Sequence, residues 1–502
     1  MIFPDLSYAA KLARRYSRIP VYRELDLTEI GLLSLLKALQ RDNDVVFFES
    51  AKENRKWSRF SFIGLNPVKT VKFLPPYIIE ESREGIHKMN ADPFQYLKEE
   101  TGRYTSPSFR RYGPFNGGLA GYFGFEIVNY AGVLRKPAAY DPSTPLFHLV
   151  QIDEFIVYDN LHDKFFAATC IYPGGDVPVN ELYDNACRRL EELEDEIIGR
   201  IQETPIPYLR TRPEPLSLEF NETRDSFMDK VSRTKELIAS GEAIQVVLSM
   251  RGNIPRVIDP YKFYLKLRSV NPSPYMFFMK LGKLTIAGSS PETHVRVEGD
   301  TVYLKPIAGT VPQSEDREER KRRKEMLLGD EKERAEHLML VDLARNDLGR
   351  IARRGTVEVT RFMEPEDFSH VIHLVSLVQA RISTRKNMID VLGETFPAGT
   401  VSGAPKVRAI EIIGEMETTP RGVYAGAVGY LGYNGCMDTC IAIRTAVFDG
   451  DNRFIQAGAG IVYDSVPEKE YEEIHNKLKA LSISLGFAVE RDMEECNVSN
   501  GR

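Results

Sequence analysis

Gln456-Ala-Gly-Ala-Gly-Ile-Val-Tyr-Asp-Ser-Val-Pro-Glu-Lys-Glu-Tyr-Glu-Glu-Ile-His-Asn-Lys477 carries the change of period that decides the fold. Its apolar start reads as a strand ending in a Gly-Ala-Gly turn. A helix then starts near Pro467, with Asp464 and Ser465 as capping candidates. On that helix Glu470, Glu473 and Lys477 fall within an arc of about 60°. Two carboxylates and an ammonium on one face suit a small anion held through a metal. Read alone, they also suit a solvated face with ordinary ion pairs.

Moving outward, the same strand-then-helix alternation recurs. Strand-like runs are Asp44–Phe48, Gln151–Tyr158, Ala243–Ser249, Pro274–Leu281, Leu284–Ala287, Thr293–Val297, Val302–Leu304 and Val357–Val359. Helical patterns are Asn180–Gln202, Asn221–Gly241, Glu315–Leu328, Glu331–Leu348 and Asp367–Ala380. Strands come as neighbours more often than singly between helices. That predicts an α+β fold with large, mostly antiparallel sheets and helices packed outside. No internal repeat is visible. The proline-rich Thr204–Pro215 stretch separates an N-terminal region, 1–210, from a second region, 217–490.

The chain has 502 residues, 42% hydrophobic and 27% charged, which is long enough for two domains or one large composite. No apolar run reaches membrane-spanning length, and the N-terminus lacks a signal-peptide pattern, so cytoplasm is the expected location. A net charge of −6 argues against nucleic acid as a partner. Cys170, Cys187, Cys436, Cys440 and Cys496 form no CxxC pair, and neither a zinc site nor disulfides are expected.

Glu333 and Glu336 repeat the i, i+3 spacing of Glu470 and Glu473. Two helices offering matched carboxylates could face each other across a pocket. Mg²⁺ fits such a site, because it needs only one or two protein carboxylates and takes waters and ligand oxygens for the rest.

Five motifs occur in order: Pro306-Ile-Ala-Gly-Thr310, Glu336-His-Leu-Met-Leu-Val-Asp-Leu-Ala-Arg-Asn-Asp347, Ser369-His-Val-Ile-His373, Phe396-Pro-Ala-Gly-Thr-Val-Ser-Gly-Ala-Pro-Lys406 and the opening segment. Together they resemble the chorismate-utilising enzymes, and among these the large subunits (component I) of anthranilate synthases. The resemblance is strongest from Arg224 to Leu485. It implies the chorismate-binding fold, with tryptophan and chorismate sites in segments that interleave along the chain.

The resemblance also implies roles. Glu336 and Glu473 would bind Mg²⁺ directly, with Glu333 and Glu470 holding its waters. Arg444, Tyr424 and the Gly460 backbone would hold the enolpyruvyl carboxylate. Gly309, Thr310, Thr400 and Gly458 would line the ring, and Lys477 would balance charge. Glu292 would protonate the departing C4 hydroxyl, and His373 would serve the aromatising step. Read singly, the glycines could mark a turn, His373 a packed core residue and Arg444 an ion pair.

Gln245 stands where water-adding relatives carry a lysine base, and Ala308 where aminodeoxychorismate synthases often carry a lysine nucleophile. Both substitutions point to ammonia as the attacking group. No Gly-x-Cys-x-Gly glutaminase motif occurs, so a separate glutamine amidotransferase subunit is the expected ammonia source, giving a hetero-oligomer. Val46-Phe-Phe-Glu49-Ser50 and Asn271-Pro-Ser-Pro274-Tyr275-Met276 resemble the two walls of a tryptophan feedback site. The other readings are an aminodeoxychorismate synthase component I and a non-catalytic sensor of chorismate or tryptophan.

Overall fold

Alternation along single strands shows that three apolar layers must exist. Phe47, Ile63 and Ile156 join one core, while Val46, Phe62, Phe155 and Val157 join another. Leu119 and Leu149 join a third, with Ala120 and Val150 turned to the second. Neighbouring residues point to opposite sheet faces, so two sheets share the middle layer. The outer layers are closed by helices.

The computed structural model describes residues 1–27, 30–40, 44–50, 59–132, 134–204, 212–368 and 371–489. Most of the predicted proline linker, the Ser369 and His370 of one motif, and Cys496 lie outside them. Every described strand pairing is antiparallel. The first sheet runs Ile2–Phe3, Ile19–Leu25, Lys164–Ile171, Glu154–Asp159, Phe60–Leu65, Val45–Glu49, Tyr275–Leu281, Leu284–Ser290, Thr445–Asp449, Asn452–Ile461, Gln245–Asn253, Glu219–Phe220. The second runs Ile307–Pro312, Val371–Arg381, Thr301–Leu304, Thr293–Glu298, Met437–Ile441, Ala427–Gly432, Gly118–Phe123, Phe147–Ile152, Lys69–Leu74, Tyr77–Ser82, Gly85–Asn90. The α+β class, with large antiparallel sheets and helices packed outside, is the one expected from the sequence; the face-to-face packing of the two sheets is what the structure adds.

These two orders contain a repeat that the sequence conceals. Reading outward from the Val45–Glu49/Tyr275–Leu281 pair, the six strands of the N-terminal half match the six of the C-terminal half; outward from the Gly118–Phe123/Ala427–Gly432 pair five match five, and Ile307–Pro312 extends the C-terminal side by one more. The halves share connectivity and not residues, so residue patterns alone do not reveal it.

The Val179–Glu203 helix buries Tyr183, Ala186, Leu190, Leu193 and Ile197, one apolar stripe at helical spacing, on the first sheet. Its counterpart, Pro467–Ala488, buries Ile474, Leu478, Leu481 and Leu485 against the Asn452–Ile461 strand. Each such side chain contributes about 1.5–3 kcal/mol by leaving water. Leu478→Ala would cost about 2–5 kcal/mol and loosen the helix that carries the acidic pair.

Four local expectations are corrected. Val371–Arg381 is a strand and not a helix; it alternates in burial and pairs with three neighbours, so tertiary pairing overrides the helical pattern. Gln151–Tyr158 is two strands in different sheets, broken at Asp153. Gly458-Ala-Gly460 is strand interior and not a turn. Val466 is the N-cap of the last helix, without a side-chain cap, while Ser465 instead accepts from the Val462 N–H at 3.0 Å.

Candidate active site

Two links cross between the sheets side by side. One, between Leu284–Ser290 and Thr293–Glu298, carries Glu292; the other, between Met437–Ile441 and Thr445–Asp449, carries Arg444. They are tied backbone to backbone, the Ile441 N–H donating to Glu292 O and the Ser289 N–H to Arg444 O, both at 3.1 Å. Arg444 sits at φ 50°, a left-handed conformation that an arginine adopts only when its surroundings impose it. The one described hydrogen bond of its side chain is a long 3.4 Å contact to Asn271 Oδ1.

Burial pushes the Glu292 carboxyl up to about 8, against Thr400, Arg444 and Lys477, which favour its charge. Thr400 lies beside it, although its buried Oγ1 falls short of a full hydrogen bond. At neutral pH Glu292 is therefore a proton donor beside two cations. A cavity of about 50 Å³ borders Glu292 and Thr400 on the side of His294, Asp347 and Thr395.

The glycines matter through what approaches them. A methyl group on Gly458 would lie 2.7 Å from the Tyr424 hydroxyl, and one on Gly460 would collide with Gln245 Nε2. The Gln245 Oε1 is buried without a partner among the described residues. Lys477 Nζ donates to Gly458 O at 2.7 Å and pairs with Glu473 at 2.6 Å, so the last helix is pinned to that strand.

The second acidic pair arrives on the Glu331–Gly349 helix, started by Asp330, whose carboxylate accepts from the Lys332 and Glu333 N–H groups. Glu333 accepts from the Thr310 N–H at 3.1 Å, which fixes the Ile307–Pro312 strand where Gly309, at φ 77°, forms a bulge after buried Ala308. His373 Nδ1 lies 3.1 Å from Gly309 O and 3.0 Å from Thr310 Oγ1. A carbonyl can only accept, so Nδ1 carries the proton and Nε2 is left basic. Burial holds that ring below its ordinary pKa, hence neutral.

Burial, then Glu333 and Glu473, push Glu336 above the usual carboxylate range. Burial also raises Glu470, opposed by a hydrogen bond from Ser465 and reinforced by Glu473. Carboxylates from helices of opposite outer layers thus converge. Among the described residues no three Asp, Glu, His or Cys groups form a ready cage for a metal. Mutually repelling, half-buried carboxylates that stop short of a cage fit Mg²⁺, which takes its remaining ligands from water and substrate oxygens.

The sequence profile of chorismate binding enzymes matches residues 45–482. The chain belongs to the chorismate-binding enzyme family. It is 39% identical over 486 residues to anthranilate synthase component 1 of Acetivibrio thermocellus, covering 96% of this chain and 98% of that one. It is 41% identical to the protein of the same name from Aquifex aeolicus, covering 98% and 99%. The crystal structure of anthranilate synthase component I from Streptococcus pneumoniae superposes with a TM-score of 0.71 at 35% identity, covering 85% of this chain and 92% of that one.

In this chorismate-binding enzyme the two walls of the expected tryptophan site are adjacent strands, with Met276 directly opposite Glu49. Glu49 accepts from Tyr264 OH at 2.7 Å and is gripped by Arg268 at 2.6 Å. Strand alternation puts Glu49 and Met276 on the helix-covered face, and Ser50 and Tyr275 on the face between the sheets. Tyr275 OH meets Asp438 there at 2.9 Å; Pro274 precedes the strand.

Sequence reasoning missed Asn271 as the partner of Arg444, having assigned its motif to the tryptophan wall. It missed the Lys406–Asp347 ion pair at 2.7 Å, although Lys406 and Asp347 end two quoted motifs. It also passed over Arg421, three residues before Tyr424. A buried, multiply bonded arginine leaves no spacing signal.

Proposed function

We propose that this protein is component 1 of an anthranilate synthase, a lyase converting chorismate and ammonia to anthranilate and pyruvate. The observation that carries the reading is Glu292. It is a buried carboxyl protonated at neutral pH, next to an arginine whose donors are almost unused. Full-length relatives bearing that name support it.

Arg444 receives a substrate carboxylate in its planar fork, with the Tyr424 hydroxyl and the Gly460 strand closing that end. Gly309, Thr310, Thr400 and Gly458 leave room for the ring. Glu292 gives its proton to the C4 hydroxyl, which departs as water while ammonia forms the C2–N bond and the ring double bonds shift. Gln245 and Ala308 offer neither a base for water nor a nucleophile of their own, which leaves C2 to ammonia. His373, neutral with Nε2 free, takes the C2 proton as the ring C3–O bond to the enolpyruvyl group breaks; the released enolate gains a proton as pyruvate and the ring becomes aromatic. A Mg²⁺ held by Glu336 and Glu473, with Glu333 and Glu470 behind them, would neutralise the ring carboxylate.

A glutamine amidotransferase subunit supplies ammonia in this reading, and the assembly is a hetero-oligomer in the cytoplasm. No helix among the described residues is long and apolar enough to cross a membrane. Tryptophan acts as feedback inhibitor at the end of the strand pair that carries Glu49, Ser50, Pro274, Tyr275 and Met276; the adjacency of the two strands supports the location, with Ser50 and Tyr275 on the face between the sheets and Glu49 and Met276 on the other. By linkage, chorismate then weakens tryptophan binding by the factor that tryptophan weakens chorismate binding.

Fluorescence detection of anthranilate from chorismate, Mg²⁺ and ammonium, with product mass, tests the reading. A signal abolished by EDTA and by tryptophan is expected. An amino-chorismate retaining its enolpyruvyl group would overturn it in favour of an aminodeoxychorismate synthase.

A further inference from the structure

Arg421 is only 1% exposed and is one of the two largest fully buried side chains. Its guanidinium donates to Val401 O and Val247 O, each at 2.7 Å, and to both oxygens of Glu417, at 2.6 and 2.8 Å. Val401 follows Thr400, and Val247 lies directly opposite Gly460 in the strand pair. Glu417 also accepts from the Ser249 N–H at 2.8 Å, two residues further along the Val247 strand. The same guanidinium lies 5.7 Å from the Tyr424 ring, and the Tyr424 N–H donates to Arg421 O at 3.2 Å. The backbone is held as well: Glu126, from the N-terminal half, accepts from the N–H of Arg421 at 2.6 Å and of Gly422 at 3.1 Å.

We propose that Arg421, braced by Glu126 and Glu417, is a positioning residue that sets Tyr424, Thr400 and the Gly460 strand in register with one another. Arginine is required because the three partners lie in different directions and a planar fork can bond them together. A lysine can keep the charge against Glu417 but has one nitrogen for all of them. Arg421, Glu126 and Glu417 are given no contact with substrate in the chorismate reading. The residue acts through Tyr424, and the inference rests on the chorismate reading above. Glu126 carries the brace from one half of the fold to the other, so the N-terminal half takes part in the catalytic geometry.

The test is a double-mutant cycle on chorismate affinity, measured by calorimetry with Mg²⁺ and no ammonia, using the full chain. Arg421→Lys is expected to weaken binding about 10-fold or more, because misplacing a contact by about 1 Å can cost 10²-fold in activity. Tyr424→Phe weakens it separately. The double variant is expected to lose clearly less than the product of the two single losses, since the part of the Arg421 effect that passes through Tyr424 vanishes once Tyr424 is disabled. Additive losses, or Arg421→Lys binding like the parent, would overturn the proposal. A purely structural arginine would lower Tm and leave the affinity of folded molecules unchanged. If Arg421→Lys does not fold, Glu126→Gln keeps the volume and weakens the hold on the Arg421 and Gly422 N–H groups. It should shift affinity in the same direction and again non-additively with Tyr424→Phe; an unchanged affinity refutes the brace. A parent that binds chorismate but makes no anthranilate refutes the assigned reaction and leaves the cycle decisive for positioning.

Discussion

The two halves of the sandwich build the same crossing of strands and use it in opposite ways. In the N-terminal half Arg18 lies one residue before the Ile19–Ile171 pair; in the C-terminal half Gln245 lies one residue before the Val246–Ile461 pair. Arg18 fills its crossing. It donates to Asp153 at 2.9 and 3.2 Å, to Asn116 O at 2.7 Å and to Ile152 O at 3.3 Å, and it occupies the space a methyl on Gly117 would need. In the other half Gly458 and Gly460 open the matching strand, the Arg444 guanidinium makes one long hydrogen bond among the described residues, and the buried Glu292 carboxyl has only Thr400 close beside it. A saturated arginine holds a fold together. An unsaturated one in the same frame waits for a ligand.

The comparison breaks first if Arg444→Gln leaves turnover intact. Removing it is expected to lower kcat/KM by about 10³ with little change in Tm, because the parent residue is strained and almost unbonded. Arg18→Met should do the reverse. It strands Asp153 and costs about 3–5 kcal/mol in denaturant unfolding, while folded molecules keep their activity. The paired change of Arg18→Met with Asp153→Leu should recover much of that loss.

A pH profile sharpens the contrast. Glu292 must be protonated to act, so kcat/KM for chorismate at saturating ammonia should fall as pH rises through about 8. Stability carries the same sign. The folded state holds this proton above the pH at which an unfolded glutamate loses it, so the stability it contributes is present at low pH and is lost as pH rises toward 8. Glu292→Gln, inactive, should therefore gain stability over the parent progressively from about pH 5 to 8 in urea unfolding. The smallest effect is at the strand: Gly460→Ala should raise KM for chorismate about 10-fold by pushing Gln245 into the site, whereas Cys170→Ala in the matching strand leaves KM unchanged.

Legibility in the sequence followed the range of the forces. The Val179–Glu203 and Pro467–Ala488 helices were readable because their buried stripes are local. The Val371–Arg381 strand was not, because its three partners lie far away in the chain. The two acidic pairs were legible from helical spacing alone, whereas Glu292 and Arg444 entered only through the family motifs, because residues on links between sheets follow no period. Asp153 looked like one residue in a continuous strand, since a crossing between sheets needs only one residue and leaves no turn signature. The Glu126 carboxylate meets the Arg421 backbone N–H from 295 residues away, which no pattern of side chains encodes.

An equilibrium titration of chorismate, with Mg²⁺ and without ammonia, tests the central contrast most directly when run on parent, Arg444→Gln and Arg18→Met. The account predicts one site per chain in the parent and in folded Arg18→Met, and none measurable in Arg444→Gln. Chorismate binding that survives Arg444→Gln and disappears with Arg18→Met would contradict it.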